Sequence, residues 1–97
     1  MATVNGGGKV KKIEHVHKLV REILLTKWDP IGVREIPQAH DEYDMYIPEI
    51  IKMLRADISQ ADLIRALLKI ETQRMGLQGD VSRAEAVSKM LMEMWRQ

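Results

Sequence analysis

"ISQADLIRALLKIETQRMG", residues 58–76, contains a helix start, a helix body and a helix stop in one run. Ser59 stands at an N-cap position with Asp62 three residues on, a weaker form of the capping box than Glu or Gln gives. Ile58 and Leu63 supply the hydrophobic staple. Leu63, Ile64, Leu67, Leu68, Ile70 and Met75 recur at the period of an amphipathic helix, and Gly76 suits a left-handed C-cap. The spacing therefore predicts one unbroken helix from Ser59 to Met75. Glu71 interrupts it chemically, because it falls in the middle of the apolar stripe, between Leu67 and Met75. A carboxylate there needs a hydrogen bond, an ion pair or a proton. The sequence offers Arg74, Lys27, Arg34 or the indole N–H of Trp28 as its partner.

The same reading extends in both directions. Downstream, a further helix is expected from about Val81, with Ser82 and Glu85 as its capping box. Ala84, Val87, Leu91, Met94 and Trp95 face inward there, and Glu85, Lys89, Glu93 and Arg96 line the outside. Upstream, Asp41 is expected to cap a helix whose first turn holds Glu42 and Asp44 and whose buried stripe is Tyr43, Tyr46, Ile47, Ile50, Met53 and Leu54. Pro48 is expected on its solvent side as a kink. The first helix is predicted over Lys9 to Lys27, where Val10, Ile13, Val16, Val20, Ile23 and Leu24 share one side and Trp28 continues the stripe. His15 and His17, two apart, point to different sides and cannot chelate one metal. Asp29, ahead of Pro30, closes that helix and is placed to cap a short turn. The expected fold is all-α: one small domain of about four helices, mostly antiparallel, over residues 9–97. A long ordered link, Asp29 to His40, joins the first two helices. Residues 1–8, with three consecutive glycines, are expected to be a disordered tail.

A chain of 97 residues has room for one core. It contains no Cys, so no disulfide supports it, and the absence is compatible with a reducing compartment. No apolar run approaches the roughly 20 residues of a membrane span, and none follows the charges near the start as in a secretory leader. The expectation is a cytoplasmic protein. Its net charge of +1 conceals an asymmetry: residues 28–50 hold six acids and one base, giving −5, so the rest sums to +6. An acidic middle in a near-neutral chain argues against general nucleic-acid affinity and for charge pairing with a basic partner.

Catalytic and cofactor chemistry has little support in these residues. There is no Cys nucleophile, no Gly-rich phosphate loop and no strand to carry a nucleophile elbow, so neither an enzyme nor a cofactor is expected. Asp29, Asp41, Glu42 and Asp44 lack the spacing of a calcium loop, and capping accounts for two of them. Residues 50–71 look like the start of a helix-turn-helix, but the helix after Ser59 runs on without the required turn. The last helix exposes alternating charges rather than a basic face. The basic first helix, with Lys9, Lys11, Lys12, Lys18 and Arg21, leaves nucleic-acid binding as the alternative function. A polar pocket joining Glu71 to the link, serving a small ligand or a metal-dependent reaction, is the third.

"WDPIGV" at residues 28–33 followed by "DEYDMY" at 41–46 resembles a family of small, uncharacterised bacterial all-α proteins. In that family a first helix ends in Trp-Asp-Pro plus an apolar residue, and a Tyr-containing acidic segment opens the second. The resemblance covers about Leu19 to Met92 and rests on Trp28, Asp29, Pro30, Ile31, Tyr43 and Asp44. It implies the fold and a bacterial origin, and no activity, cofactor or substrate.

Trp28, Tyr43 and Tyr46 are three of the four aromatics, and they are expected to anchor the link to the core while keeping an exposed edge. With Glu35, His40, Asp41 and Glu42 they form the candidate contact face, acidic at the rim and aromatic at the centre, for a basic protein partner. Monomer and homodimer are both left open.

Overall fold

The computed structural model describes residues 13–97. Residues 1–8 and the predicted helix start at Lys9 lie outside the described residues. The described chain is all-helical and carries no strand. α1 spans Ile13–Ile23, α2 Ile47–Arg55, α3 Gln60–Lys69 and α4 Val81–Arg96. α1 and α3 each continue into one widened turn, Leu24–Trp28 and Ile70–Arg74, where N–H groups reach back five residues instead of four. Asp29 N donates to the Leu24 carbonyl at 2.7 Å and Met75 N to that of Ile70 at 3.1 Å. No helix among the described residues is long and apolar enough to cross a membrane.

Cross-links between helices define an antiparallel packing. The start of α3 meets the middle of α4, where Gln60 Nε2 donates to Ser88 Oγ at 3.3 Å, and the turn that continues α3 meets the start of α4 through Glu71 and Arg83 at 3.2 Å. The end of α1 is joined to the turn that leads into α2, where Arg21 Nε donates to Asp44 Oδ1 at 2.9 Å. Asp44 also holds the Arg21 guanidinium pKa above its ordinary value, by hydrogen bonding first and by charge second. Between the helices lies one core, which includes Val20, Leu24, Trp28, Ile47, Ile50, Leu63, Leu67, Val87 and Leu91.

Ser59 caps α3 as its sequence predicts, its hydroxyl accepting from Asp62 N at 3.1 Å, and Ile58 packs against the core beside buried Leu63. The reciprocal half of that box is missing because the Asp62 carboxylate pairs with Arg65 instead. Gly76 takes the left-handed conformation expected of it, at φ +69°.

Two helix starts depart from expectation. α2 begins at Ile47, not Asp41, and Asp41 caps no helix. Residues 39–46 instead form tight turns with bonds over three residues: Glu42 N to Ala39 O, Asp44 N to Asp41 O and Tyr46 N to Tyr43 O, all at 3.0–3.1 Å. Pro48 is the reason. An α-helix from Asp41 would require a Pro48 N–H for the Asp44 carbonyl and would drive the proline ring into that carbonyl. In the first turn of a helix starting at Ile47 no such donor is needed, so Pro48 sets the start rather than kinking an interior.

At α4 the expected Ser82–Glu85 box is replaced by Asp80, whose carboxylate accepts from Arg83 N at 3.0 Å. Asp80 precedes the helix in the extended conformation an N-cap requires.

Candidate functional site

The two widened turns face each other. Trp28, at the end of the first, is 1 % exposed and donates its indole N–H to Glu71 Oε2 at 2.7 Å. Glu71, in the second and 0 % exposed, receives two further donors on Oε1: Asp80 N at 3.0 Å and Arg83 Nη2 at 3.2 Å. In a capping box the acid three residues into a helix accepts the N–H of the N-cap residue. At α4 that position is Arg83, and Glu71 performs the acid's part from across the core. One carboxylate thus joins the end of α1, the end of α3 and the start of α4. Of the partners predicted for Glu71, Trp28 is correct. Arg74 pairs with Glu49 at 2.7 Å and lies over the Tyr46 ring at 5.5 Å. Arg34 Nη1 turns to the Thr26 carbonyl at 3.3 Å, and Lys27 is exposed.

Asp29 organises the link from the other side of Trp28. Its backbone adopts φ 35°, a left-handed conformation that Asp tolerates better than most residues. Its Oδ1 accepts from Val33 N at 2.7 Å and from the Tyr43 hydroxyl at 2.8 Å, and its Oδ2 accepts from Arg34 N at 3.2 Å. The turn-capping role expected for Asp29 is therefore present. The Tyr43 oxygen in turn accepts from Ile31 N at 3.1 Å. The Tyr43 ring lies 5.4 Å from that of Trp28, and Tyr46 meets the same indole edge-on at 6.2 Å. His40 Nε2 lies 2.7 Å from the Arg34 carbonyl, and Ile36 N and Ala39 N close successive turns at 2.9 Å each. The link is thus a series of hydrogen-bonded turns seated on three rings.

Burial drives the Tyr43 hydroxyl pKa far above its ordinary value; the Ile31 amide opposes this, while the bond to Asp29 and its charge add to it. The folded protein thus retains this proton at pH values where the unfolded chain, near pH 10, releases it. The stability Tyr43 contributes is complete below that pH and is lost as pH rises toward the folded value. Tyr43→Phe is expected to lower thermal stability by about 1 kcal/mol at neutral pH, through the lost hydrogen bonds. It is also expected to lose less stability than wild type between pH 9 and 11. Parallel alkaline melts of the two proteins check both.

The structure separates the seven predicted contact residues. Glu35, His40, Asp41 and Glu42 are exposed, while Trp28, Tyr43 and Tyr46 are buried, at 1 %, 1 % and 6 %. The exposed aromatic edge expected at the centre of the face is absent: the Trp28 indole and the Tyr43 hydroxyl satisfy their polar atoms inward, Tyr46 packs on the indole, and the three rings hold the link from beneath. In their place the link presents Ile31 and Ile36, and the turns that follow it present Met45; these are 42 %, 46 % and 69 % exposed. The sequence reading did not place these three on the contact face. For Ile31 and Ile36 a signal existed, since they are apolar residues in a connection without helical period. Arg83 gave none, because its role depends on the approach of α3.

Asp41 and Glu42 form no ion pair among the described residues, and Glu35 has only the exposed Arg34 at 3.5 Å. No three His, Asp or Glu side chains among the described residues converge as a metal site. With three donors on its two oxygens and no solvent exposure, Glu71 is committed to the fold. In comparisons with protein-family models, curated proteins and solved structures, nothing matches this chain.

Proposed function

We propose that this protein is a protein-interaction module whose contact face is the outer surface of the link and the turns that follow it, residues 31–45, and whose partner surface is basic. The observation that carries this reading is the pairing of exposed aliphatic side chains, Ile31, Ile36 and Met45, with Asp41 and Glu42, acids that form no ion pair among the described residues, on a segment held in place by hydrogen bonds. Apolar groups on an ordered surface supply contact area, and a preformed segment loses little entropy on binding. The acids accelerate encounter and reject acidic competitors. Trp28, Tyr43 and Tyr46 serve the face by supporting it.

The proposal extends to a cytoplasmic setting, with which the absence of Cys is compatible. It extends also to the bacterial all-α family suggested by Trp-Asp-Pro-Ile and Tyr-Asp. The bonding of Asp29 to Tyr43 and the packing of Tyr43 on Trp28 give that signature a shared physical purpose.

The test is affinity capture from a lysate of the source organism by wild type and by an Asp41→Lys/Glu42→Lys variant. The variant is expected to lose the captured protein, because like charges facing a basic partner cost several kcal/mol. Its stability should stay within about 0.5 kcal/mol of wild type, as for exposed substitutions generally. Unchanged capture by the charge-reversed protein overturns the proposal.

A further inference from the structure

A groove of about 370 Å³ runs between α1 and α2, lined by His17, Pro48, Ile51, Lys52 and Arg55. Its floor is apolar, from Pro48 and Ile51, and its rim is cationic. Lys52 and Arg55 are exposed and make no ion pair among the described residues. One helical turn from His17 along α1 is Arg21, and four residues before Pro48, in the turn that leads into α2, is Asp44; these two neutralise each other. Beyond that pair the sign reverses. Beside that pair lies Asp41, whose carbonyl accepts from Asp44 N at 3.1 Å and whose charge adds to that of Asp44 in holding the Arg21 pKa up. Glu42 and the highly exposed Met45 follow it in the chain.

The α1–α2 face is therefore polarised, with cations over an apolar groove at one end and acids beside an exposed methionine at the other, none of these charges paired among the described residues. A surface of this kind is its own complement when turned through a two-fold axis. We propose that the occupant of the groove is a second copy of this chain. Two copies pack antiparallel across this face, so that Lys52 and Arg55 of each meet Asp41 and Glu42 of the other. Met45 of each enters the partner's groove. The unbranched thioether of Met suits an irregular apolar recess. The interface is isologous, so it closes at a dimer and does not propagate as a fibre. This inference rests on the functional reading above and gives its basic partner surface an identity, the Lys52–Arg55 end of another copy.

Sedimentation velocity on the full chain over a concentration series, at low and high salt, tests it. Wild type is expected to dimerise at low salt, with at least about a tenfold weaker Kd at 1 M salt, where exposed charges are screened beyond about 3 Å. Lys52→Glu/Arg55→Glu and Asp41→Lys/Glu42→Lys are each expected to be monomeric alone and to form a heterodimer when mixed, since both contacts become complementary again. Melting curves for each variant establish that it is folded. A wild type that stays monomeric throughout, a variant that dimerises as tightly as wild type, or two folded variants that fail to pair when mixed each overturn the dimer. A monomeric wild type whose lysate partner is still lost on Asp41 and Glu42 reversal overturns only this inference. Failure of both experiments removes the acidic-face reading as well.

Discussion

Glu71→Ala is expected to lower the midpoint of thermal unfolding by at least about 12 °C. Removing one member of a buried charge pair costs roughly 3–5 kcal/mol, and each kcal/mol shifts the midpoint of a domain this size by about 4 °C or more. The cost arises because three donors lose their acceptor together: the Trp28 indole, the Asp80 amide and the Arg83 guanidinium. Trp28 is almost fully enclosed, so water does not readily replace the carboxylate there. Glu71→Gln retains the volume and one acceptor oxygen but loses the charge and brings an NH2 group toward Arg83; its loss should be about half as large. A Glu71→Met/Arg83→Met protein separates the charge contribution from the packing contribution, since replacing both partners by apolar groups removes the buried-ion penalty along with the attraction. It should be more stable than Glu71→Ala. Hydrogen exchange adds a local readout: without Glu71 the first turn of α4 frays, and amides from Arg83 onward exchange faster than those at the centre of α4. A midpoint within about 2 °C of wild type in Glu71→Ala would show that the carboxylate is dispensable to the fold.

The features legible in the sequence are those set by neighbours in the chain. Ser59 and Gly76 bound α3 as read because a cap bonds to amides or carbonyls within a few residues. The apolar stripes give four helices and their inward faces for the same reason. The anomaly of Glu71 was also legible, since a lone carboxylate on an apolar stripe is visible from periodicity alone, and Trp28 stood among its candidate partners.

The features that were misread are set by distant parts of the chain or by two local rules in competition. Asp41, Glu42 and Asp44 make an acidic first turn on paper, but Pro48 excludes an α-helix running through Asp44, and the proline wins. Asp80 outcompetes Ser82 because Glu71, remote in sequence, accepts its backbone N–H. Trp28, Tyr43 and Tyr46 were expected to retain an exposed edge. In a chain without Phe they fill the space where the link crosses the core, and the Trp28 indole and Tyr43 hydroxyl find partners inside. Displacement of the rings inward leaves Ile31, Ile36 and Met45 outside, so the face moved from aromatic to aliphatic while its acids stayed in place.

Trp28→Ala is expected to cost about 3–5 kcal/mol, the range for deleting a large aromatic from a core. That is a large share of the 5–15 kcal/mol that typically holds a domain together. The indole is in contact with both tyrosines and donates to Glu71, so its loss opens a cavity and orphans a buried carboxylate oxygen. Trp28→Phe keeps most of the ring packing and removes only the donor, and should cost about 1–2 kcal/mol. In a double-mutant cycle with Glu71→Gln the two changes should be less than additive, because each removes the same hydrogen bond. The consequence for function is sharper than the consequence for stability. Tyr43 positions Ile31 through its hydroxyl, and Tyr43 is itself seated on Trp28, so the link should loosen under Trp28→Ala before the helices do. Limited proteolysis should then cut within residues 31–42 at a temperature where α3 and α4 are still protected. Asp41 and Glu42 are chemically intact in this variant. If contact depends on an ordered face, partner capture and self-association both fall in Trp28→Ala and are largely retained in Trp28→Phe. Capture at wild-type strength from a protein whose link is demonstrably cut-sensitive would mean that the acids act as an unstructured charged segment, and the architecture built on Trp28 would then serve stability alone.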